Sequence, residues 1–203
     1  MPVSAVSLRP AQPTTAEGLT FARYLDTAAD GIFRFKLGSD SDRVLATAYL
    51  TPGHDLSFDR VTFADVGGEI VGMASAYSSQ QHEQSSESPL LSAAGWRAIR
   101  MATVSTALFR LFRFIEAVDD GDYYLQALAV DAEQRGLGIG STLFRHTEER
   151  ARDAGCGRLM LVVAVDNENA QRLYERMGMT VVASSPRSMI LPDGQVHRMT
   201  KPL

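Results

Sequence analysis

The spacing of apolar residues along the chain follows two repeating patterns, one typical of strands and the other of helices. Short apolar or alternating runs predict strands over residues 3–8, 60–66, 69–77, 123–130, 158–165, 179–184 and 189–199. Gly67 and Gly68 separate two of these runs and predict a hairpin, because glycine tolerates a positive φ. A turn at Pro192, Asp193 and Gly194 is predicted within the last run.

Apolar residues at three- and four-residue steps predict helices over residues 14–29, 42–50, 96–115, 141–154 and 167–177. Thr14 provides a helix entry, and Gly155 and Gly178 follow two of the helices, where glycine commonly closes the last turn. The order of these elements, with strands grouped first and then alternating with helices, indicates an α/β fold: a mixed sheet with helices on its faces.

Residues 78–118 separate the third predicted strand from the fourth and contain a polar loop and an amphipathic helix. The polar part, residues 78–88, is rich in Ser, Gln and Glu and predicts a flexible connection. The helix has no acidic residue and carries four arginines, Arg97, Arg100, Arg110 and Arg113. Its charged side is either a solvated face that contacts carboxylates elsewhere, or part of a lid or dimer contact anchored by Trp96 and the phenylalanines.

Composition narrows the classes of function. The 203 residues are 45% apolar and 22% charged, which predicts one globular domain over residues 1–203. A net charge of −4 gives no general attraction to nucleic acid. Cys156 is the only cysteine and the four histidines are scattered, so no disulfide and no metal site is predicted. Neither a signal-peptide pattern nor a long apolar stretch is present, so we expect a cytoplasmic protein without membrane contact.

The residues that point most directly to chemistry are 135–141, Arg-Gly-Leu-Gly-Ile-Gly-Ser, between a predicted strand and a predicted helix. Alternating glycines let the backbone fold closely around an anion, and the first N–H groups of the helix attract phosphate oxygens. A diphosphate fits that description, whereas the alternative is a tight turn without a ligand. Arg135 adds either a charge-assisted phosphate contact or only a solvated cation.

The spacing of the same residues disfavours two other classes of phosphate site. A dinucleotide fingerprint needs Gly-x-Gly-x-x-Gly and an acidic residue about 20 positions later. Here the third glycine comes one residue early, and Gly155, Cys156 and Gly157 lie where the acidic residue would be. No Gly-Lys-Ser or Gly-Lys-Thr ending is present, as a P-loop requires.

Two spaced motifs in this half of the chain resemble the GNAT superfamily of acyl-CoA-dependent N-acyltransferases. Arg135, Gly138 and Gly140 match the pattern of its pyrophosphate loop, which is Gln or Arg, two residues, Gly, one residue, Gly or Ala. Residues 167–179 are similar to its Asn-x-x-Ala-x-x-Leu-Tyr-x-x-x-Gly-Phe run, with Met179 in place of Phe. The close resemblance covers residues 123–182, and the segment 78–118 has no counterpart in the minimal fold.

The resemblance implies a GNAT-like α/β fold, a central mixed sheet flanked by helices, with a helical insertion between the third and fourth strands. It implies that strands 123–130 and 158–165 splay apart and that acetyl-CoA, the cosubstrate, binds at Leu128, Ala129, Val130, Arg135, Gly136, Leu137, Gly138, Ile139, Gly140, Ser141, Asn167 and Tyr174. Tyr174 is the implied catalytic acid, although a tyrosine on this helix face also suits a core position. Asn167 is equally suited to cap its helix.

The implied reaction is transfer of an acetyl group to a primary amine by direct attack in a ternary complex. The acceptor is a small-molecule or peptide amine, and a homodimer is possible. The alternative is a non-catalytic regulator that binds acyl-CoA. Val162 stands where the N-terminal alanine acetyltransferases of the superfamily carry a glutamate, so the base is open: Glu69, Asp122, His54 or a chain of waters. The resemblance places the acceptor pocket at residues 30–55 and 186–194.

Overall fold

The computed structural model describes residues 6–187 and 194–203. Its strands are β1 (Ser7–Pro10), β2 (Val61–Val66), β3 (Glu69–Ser78), β4 (Asp122–Val130), β5 (Arg158–Ala164), β6 (Thr180–Ser184) and β7 (Val196–Pro202). Its helices are α1 (Thr15–Ala28), α2 (Ile32–Leu37), α3 (Ser41–Tyr49), α4 (Ser79–Glu83), α5 (Ser88–Ala94), α6 (Ala98–Ala107), α7 (Phe109–Ile115), α8 (Ile139–Asp153) and α9 (Glu168–Arg176). None of these helices is both long and apolar enough to cross a bilayer.

The strands form one mixed sheet in the order β1-β2-β3-β4-β5-β7-β6. Neighbouring strands are antiparallel except β4 and β5, which are parallel and are joined through α8. A parallel pair needs such a crossover, since a hairpin joins only antiparallel strands. The α/β fold with a mixed sheet flanked by helices is therefore confirmed, and the helical insertion does lie between the third and fourth strands.

Helices cover both faces of the sheet, and each face has its own hydrophobic cluster. On one face α8 buries Leu143 and Phe144 against strand residues such as Leu159. On the other face α1 and α3 pack around Phe21 and Tyr49, whose rings lie 5.1 Å apart. Helices thus pack against β4 and β5 on both faces of the sheet and hold these two strands in place.

Local signals explain several element boundaries. The Thr14 side chain accepts the Glu17 N–H and caps α1, as predicted for a helix entry. Gly67 and Gly68 have φ of 63° and 90° and connect β2 with β3 in the predicted hairpin. The predicted strand 189–199 begins, within the described residues, at Val196 and continues to Pro202. Its first part and the turn predicted at Pro192 and Asp193 lie outside the described residues.

The structure corrects two predictions in the insertion. Residues 79–83 of the predicted flexible connection form α4, which Ser78 and Gln81 start with a capping box, and residues 84–87 are a loop. The helix predicted over residues 96–115 is interrupted at Leu108, which ends α6 and begins α7 with a φ of −106° and a ψ of 20°. The sequence pattern also missed α2, a helix of only six residues.

The insertion packs onto the helical layer beside α2 and α3. Arg97 pairs with Asp40, and an Arg100 guanidinium nitrogen donates to the Phe35 carbonyl at 2.9 Å. Both contacts agree with the interpretation of the arginines as a charged face that meets acceptors elsewhere in the chain. Trp96 is 74% exposed, and the dimer contact predicted around it stays a prediction.

Candidate functional site

The parallel strands β4 and β5 are hydrogen-bonded partners only at their first residues. Asp122, Tyr123 and Tyr124 pair with Arg158, Leu159 and Met160, and the register ends there. β4 continues for six residues beyond Tyr124 and remains paired with β3 on its other side, while β5 remains paired with β7. Both strands lie wholly within the described ranges, so the central sheet opens into a gap after Tyr124.

A β-bulge at Gln126 changes which side chains line that gap. Ala76 pairs with Leu125 and Ser75 pairs with Ala127, so Gln126 is one residue in excess on β4. As a result, Leu125 and Leu128 share one hydrophobic cluster although their positions differ in parity. Side chains alternate strictly in a regular strand. The bulge therefore brings even-numbered residues after Gln126 to the face that odd-numbered residues occupy before it.

The direction of the backbone groups follows from one hydrogen bond at the end of β4. The Asp131 N–H donates to the Val71 carbonyl across the β3 side at 2.9 Å. Successive peptide groups in a strand point to opposite sides, so the N–H groups of Leu128 and Val130 point away from β3 and toward the gap. The two N–H groups can therefore donate to an extended ligand in the gap, as predicted for Leu128 and Val130.

The glycine loop lies between the open end of β4 and the first turn of α8. Gly136 and Gly138 have φ of 81° and 85°, a region that side chains rarely adopt. Gly138 precedes α8 with no side-chain cap, and the first helical bond runs from the Thr142 N–H to the Gly138 carbonyl at 3.0 Å. The N–H groups of Ile139, Gly140 and Ser141 come before that bond and form the donor-rich end of the helix.

The side chains of the loop have separate positions. The Ile139 side chain is buried in the core, which fixes its backbone at the start of α8. A Cβ on Gly140 would meet Leu173 at 3.5 Å and Leu128 at 3.8 Å, so this glycine faces the same gap as β4. Arg135 donates from Nε to the Val130 carbonyl at 3.1 Å, which ties its exposed guanidinium to the end of the strand.

Asn167 and Tyr174 border the gap from the side of β5. Asn167 Oδ1 accepts the Ala170 N–H at 3.2 Å, so the residue does cap α9. Tyr174 is 7% exposed, and its ring lies 6.0 Å from that of Phe144 on α8. Burial raises the pKa of Tyr174 to about 12, so the phenol holds its proton at neutral pH.

These parts enclose one continuous cleft of about 1320 Å³. It extends from the glycine loop along the gap to residues of α2, the 54–56 segment and the insertion. All the predicted coenzyme-contact residues line it except Leu137, whose side chain is 63% exposed. The segment 30–55, predicted to form the acceptor pocket, contributes several lining residues, whereas 188–193 of the other predicted segment lie outside the described residues.

The structure removes the three side chains considered as bases. Asp122 is 1% exposed and binds the Arg158 guanidinium through both oxygens, at 2.6 and 2.9 Å, away from the cleft. His54 lines the cleft, but Nε2–H donates to Ala48 and Nδ1 accepts the Leu56 N–H, so neither nitrogen is available. Glu69 is exposed at the β2–β3 hairpin and does not line the cleft.

His82 and Asp55 form a titratable pair at the cleft, and the sequence alone did not single them out. His82 Nδ1 lies 2.7 Å from Asp55 Oδ2, and both residues line the cleft. The two are far apart in sequence, and His82 falls in the segment interpreted as a flexible loop. The capping box at Ser78 was the one sequence signal that could have placed His82 on a helix.

Metal ligands do not cluster in the part of the chain that the structure describes: no group of three His, Cys, Asp or Glu side chains is arranged to hold an ion. The prediction of a metal-free site stays a prediction. Cys156 does not line the cleft, and burial raises the pKa of its thiol.

A sequence profile described as "Acetyltransferase (GNAT) family" matches residues 28–179. Thialysine N-epsilon-acetyltransferase from Bos taurus is 42% identical over 55 residues, which are 27% of this chain and 32% of that protein. A putative [ribosomal protein bS18]-alanine N-acetyltransferase from Bacillus subtilis (strain 168) is 40% identical over 58 residues, 29% of this chain and 38% of that protein. The chain thus spans well under half the length of these curated relatives.

A similar fold is found in a solved structure of an N-acetyltransferase from Staphylococcus aureus Mu50. The TM-score is 0.73 at 15% sequence identity, and the match covers 96% of this chain and 100% of the other. At this identity the match supports the architecture, while the sequence profile supports the family.

Proposed function

Because the chain belongs to the GNAT acetyltransferase family, we propose that it transfers an acetyl group from acetyl-CoA to a primary amine of a small molecule or peptide. The observation that carries the proposal is the gap between β4 and β5 that opens directly onto the glycine loop. A strand-like ligand arm and a diphosphate are the two parts of one coenzyme, and the cleft provides a surface for each.

The loop fits the diphosphate for physical reasons. Gly138 has no neighbour within 4 Å of the position a Cβ would take, so no side chain at this residue keeps an anion from the backbone amides. The N–H groups of Ile139, Gly140 and Ser141 lie at the positive end of a 15-residue helix, and phosphate oxygens are favoured at such an end. The Arg135 guanidinium adds a positive charge at the same edge of the cleft.

The gap fits the extended arm and the reacting group. The N–H groups of Leu128 and Val130 would bind the arm as a neighbouring strand binds, and a backbone N–H at this point would polarise the thioester carbonyl. When bound, acetyl-CoA supplies an activated acyl group with a thiolate leaving group. Asn167 has its oxygen engaged in the α9 cap, which leaves its NH₂ group for the coenzyme.

Tyr174 would donate the proton that the leaving thiolate takes up. Its phenol is protonated at neutral pH, and burial is the cause of its high pKa. The same desolvated surroundings destabilise a thiolate and therefore increase its affinity for a proton. Cys156 lies outside the cleft lining with its thiol pKa raised, which favours direct attack by the amine over an acyl-cysteine route.

Release of free thiol measures the proposed activity. Purified protein with acetyl-CoA would be offered thialysine, a peptide with N-terminal alanine, and tyramine, which suits the aromatic lining around Phe33 and Phe112. Thiol release that depends on one of these amines, with the acetylated amine identified by mass, would support the proposal. Tight CoA binding with no turnover on any amine would instead favour the regulator.

A further inference from the structure

The insertion brings a histidine to the end of the cleft where β4 and β5 separate. Ser78, the last residue of β3, starts α4 through its capping box, and His82 follows on that helix. The His82 ring stacks on Tyr77 with centroids 5.5 Å apart and an interplanar angle of 12°. Tyr77 pairs with Tyr124 across the strands, and their rings meet edge to face at 5.5 Å.

Tyr124 connects this histidine to the site of acetyl transfer. It is the last β4 residue that pairs with β5, so it stands where the gap begins. Burial raises the Tyr124 pKa, the charge of Arg198 lowers it, and Glu116, Asp55 and Tyr174 raise it. His82, Asp55, Tyr124 and Tyr174 all line the cleft.

Asp55 determines which ring nitrogen of His82 is available. The carboxylate lies 2.7 Å from Nδ1, so an ionised Asp55 accepts the Nδ1–H and the neutral ring keeps its lone pair on Nε2. The ring stacking on Tyr77 holds the imidazole plane. A carboxylate that orients a histidine while the opposite nitrogen accepts a proton is the general arrangement of a positioned base.

The charges around His82 have a clear net direction. The hydrogen bond with Asp55 raises the His82 pKa, burial lowers it, and the charges of Asp55 and Glu116 and a hydrogen bond of the ring to the Glu116 backbone carbonyl raise it again, so this carbonyl stabilises the protonated ring. Glu87 lies nearby in the insertion, and Lys36 of α2 acts on Glu116. Anionic groups therefore predominate around the ring, and they would also attract the ammonium form of an amine.

We propose that His82, positioned by Asp55, is the base that removes a proton from the acceptor ammonium. The inference rests on the proposed function and adds the general base, which the sequence left open. His82 Nε2 accepts one proton from the ammonium, and the neutral nitrogen attacks the acetyl carbonyl. The C–N bond forms, the C–S bond breaks and the thiolate takes the Tyr174 proton. The nitrogen of the new amide loses a second proton, which passes through solvent to the Tyr174 phenolate. His82 releases the proton that it accepted to water.

The test is a set of pH profiles of kcat/KM for His82→Gln and the wild-type protein, measured with an amine from the panel that turns over. We expect the variant to lose about 100-fold near pH 7, within the range for removal of a general base. The deficit should shrink toward pH 10, where an alkylamine with a pKa of about 10.4 deprotonates unaided. CoA affinity, measured by calorimetry, should be unchanged because His82 is not among the residues expected to contact the coenzyme.

Two further variants separate the role of the base from a structural role. His146→Gln removes an α8 histidine that does not line the cleft, and it should leave the profile unchanged. Asp55→Asn removes the main cause of the raised His82 pKa, so the rising limb of the profile should move to lower pH. The same shift should appear in an NMR titration of the His82 ring, which needs no turnover.

The outcomes distinguish this inference from the proposed function. Wild-type turnover with an equal kcat/KM in His82→Gln across pH would overturn the role of His82 and leave the acetyltransferase assignment intact. A loss that is the same at pH 7 and pH 10 would also overturn it, since a base is not needed for a neutral amine. Absence of wild-type turnover with every amine would contradict both proposals together.

Discussion

Tyr174 lies in the core and is also the proposed acid of the reaction. Its ring belongs to the hydrophobic cluster of α8, while its side chain also lines the cleft. A core position and an acid role were alternatives at the level of the sequence, and the geometry is compatible with both. Burial is the common cause, because it packs the ring and also keeps the phenol protonated.

Replacing Tyr174 with Phe would separate the two roles. Phe keeps the ring, so folding and CoA affinity should be retained, whereas kcat should fall by about 100-fold because the thiolate loses its proton donor. Stopped-flow measurement of thiol release under single-turnover conditions checks this. A variant with the wild-type rate of the chemical step would show that another group protonates the thiolate.

The sequence could indicate those candidate site residues that belong to a contiguous motif. The loop 135–141 and the run 167–179 could be recognised because their spacing is local. The proposed base could not be found in this way, because Asp122 is paired with Arg158 and both nitrogens of His54 are hydrogen-bonded, contacts that form only on folding. The His82–Asp55 pair forms only when α4 packs against the 54–56 segment, and no spacing along the chain encodes it.

At the scale of elements, the junction between β4 and α8 carries most of the proposed coenzyme binding. Two requirements meet there: a backbone with positive φ at Gly138 and an open surface beside it. Neither requires a particular side chain in the loop, which is consistent with the outward position of Leu137.

Gly138→Val should therefore weaken CoA binding at least tenfold, because a branched side chain strains the loop and occupies the space expected for the diphosphate. Gly121→Val is the matched control. Gly121 also has a positive φ, 78°, and no neighbour within 4 Å of its Cβ position, but it does not line the cleft. Calorimetry of both folded variants measures the difference, and equal affinities would contradict the assignment of the loop.

Elements were predicted well where a periodic pattern was backed by a cap or a turn, and less well in the insertion. The helical pattern over 96–115 is continuous in sequence, yet the chain turns at Leu108, whose side chain is buried while Phe109 is exposed. The helix α4 depends on one capping box within a polar run. In both places tertiary packing and a local hydrogen bond outweighed average composition.

At the scale of the whole molecule, the insertion joins the sheet to the far end of the cleft. Arg198 on β7 contacts the Phe114 carbonyl, and its guanidinium lies 4.7 Å from the Phe114 ring centroid. Residues 85–87, Leu111 and Glu116 of the insertion line the cleft. The insertion is thus part of the wall of the cleft, while its Arg97 and Arg100 contact acceptors elsewhere in the chain.

Amide hydrogen exchange with and without CoA tests the central claim most directly, because it reports both halves of the proposed site in one experiment. We predict that CoA slows exchange at Leu128 and Val130 and at Ile139, Gly140 and Ser141 together, while amides in the β2–β3 hairpin are unchanged. Protection of neither segment at saturating CoA, or protection confined to residues outside the cleft, would contradict the claim that the gap and the loop hold one coenzyme.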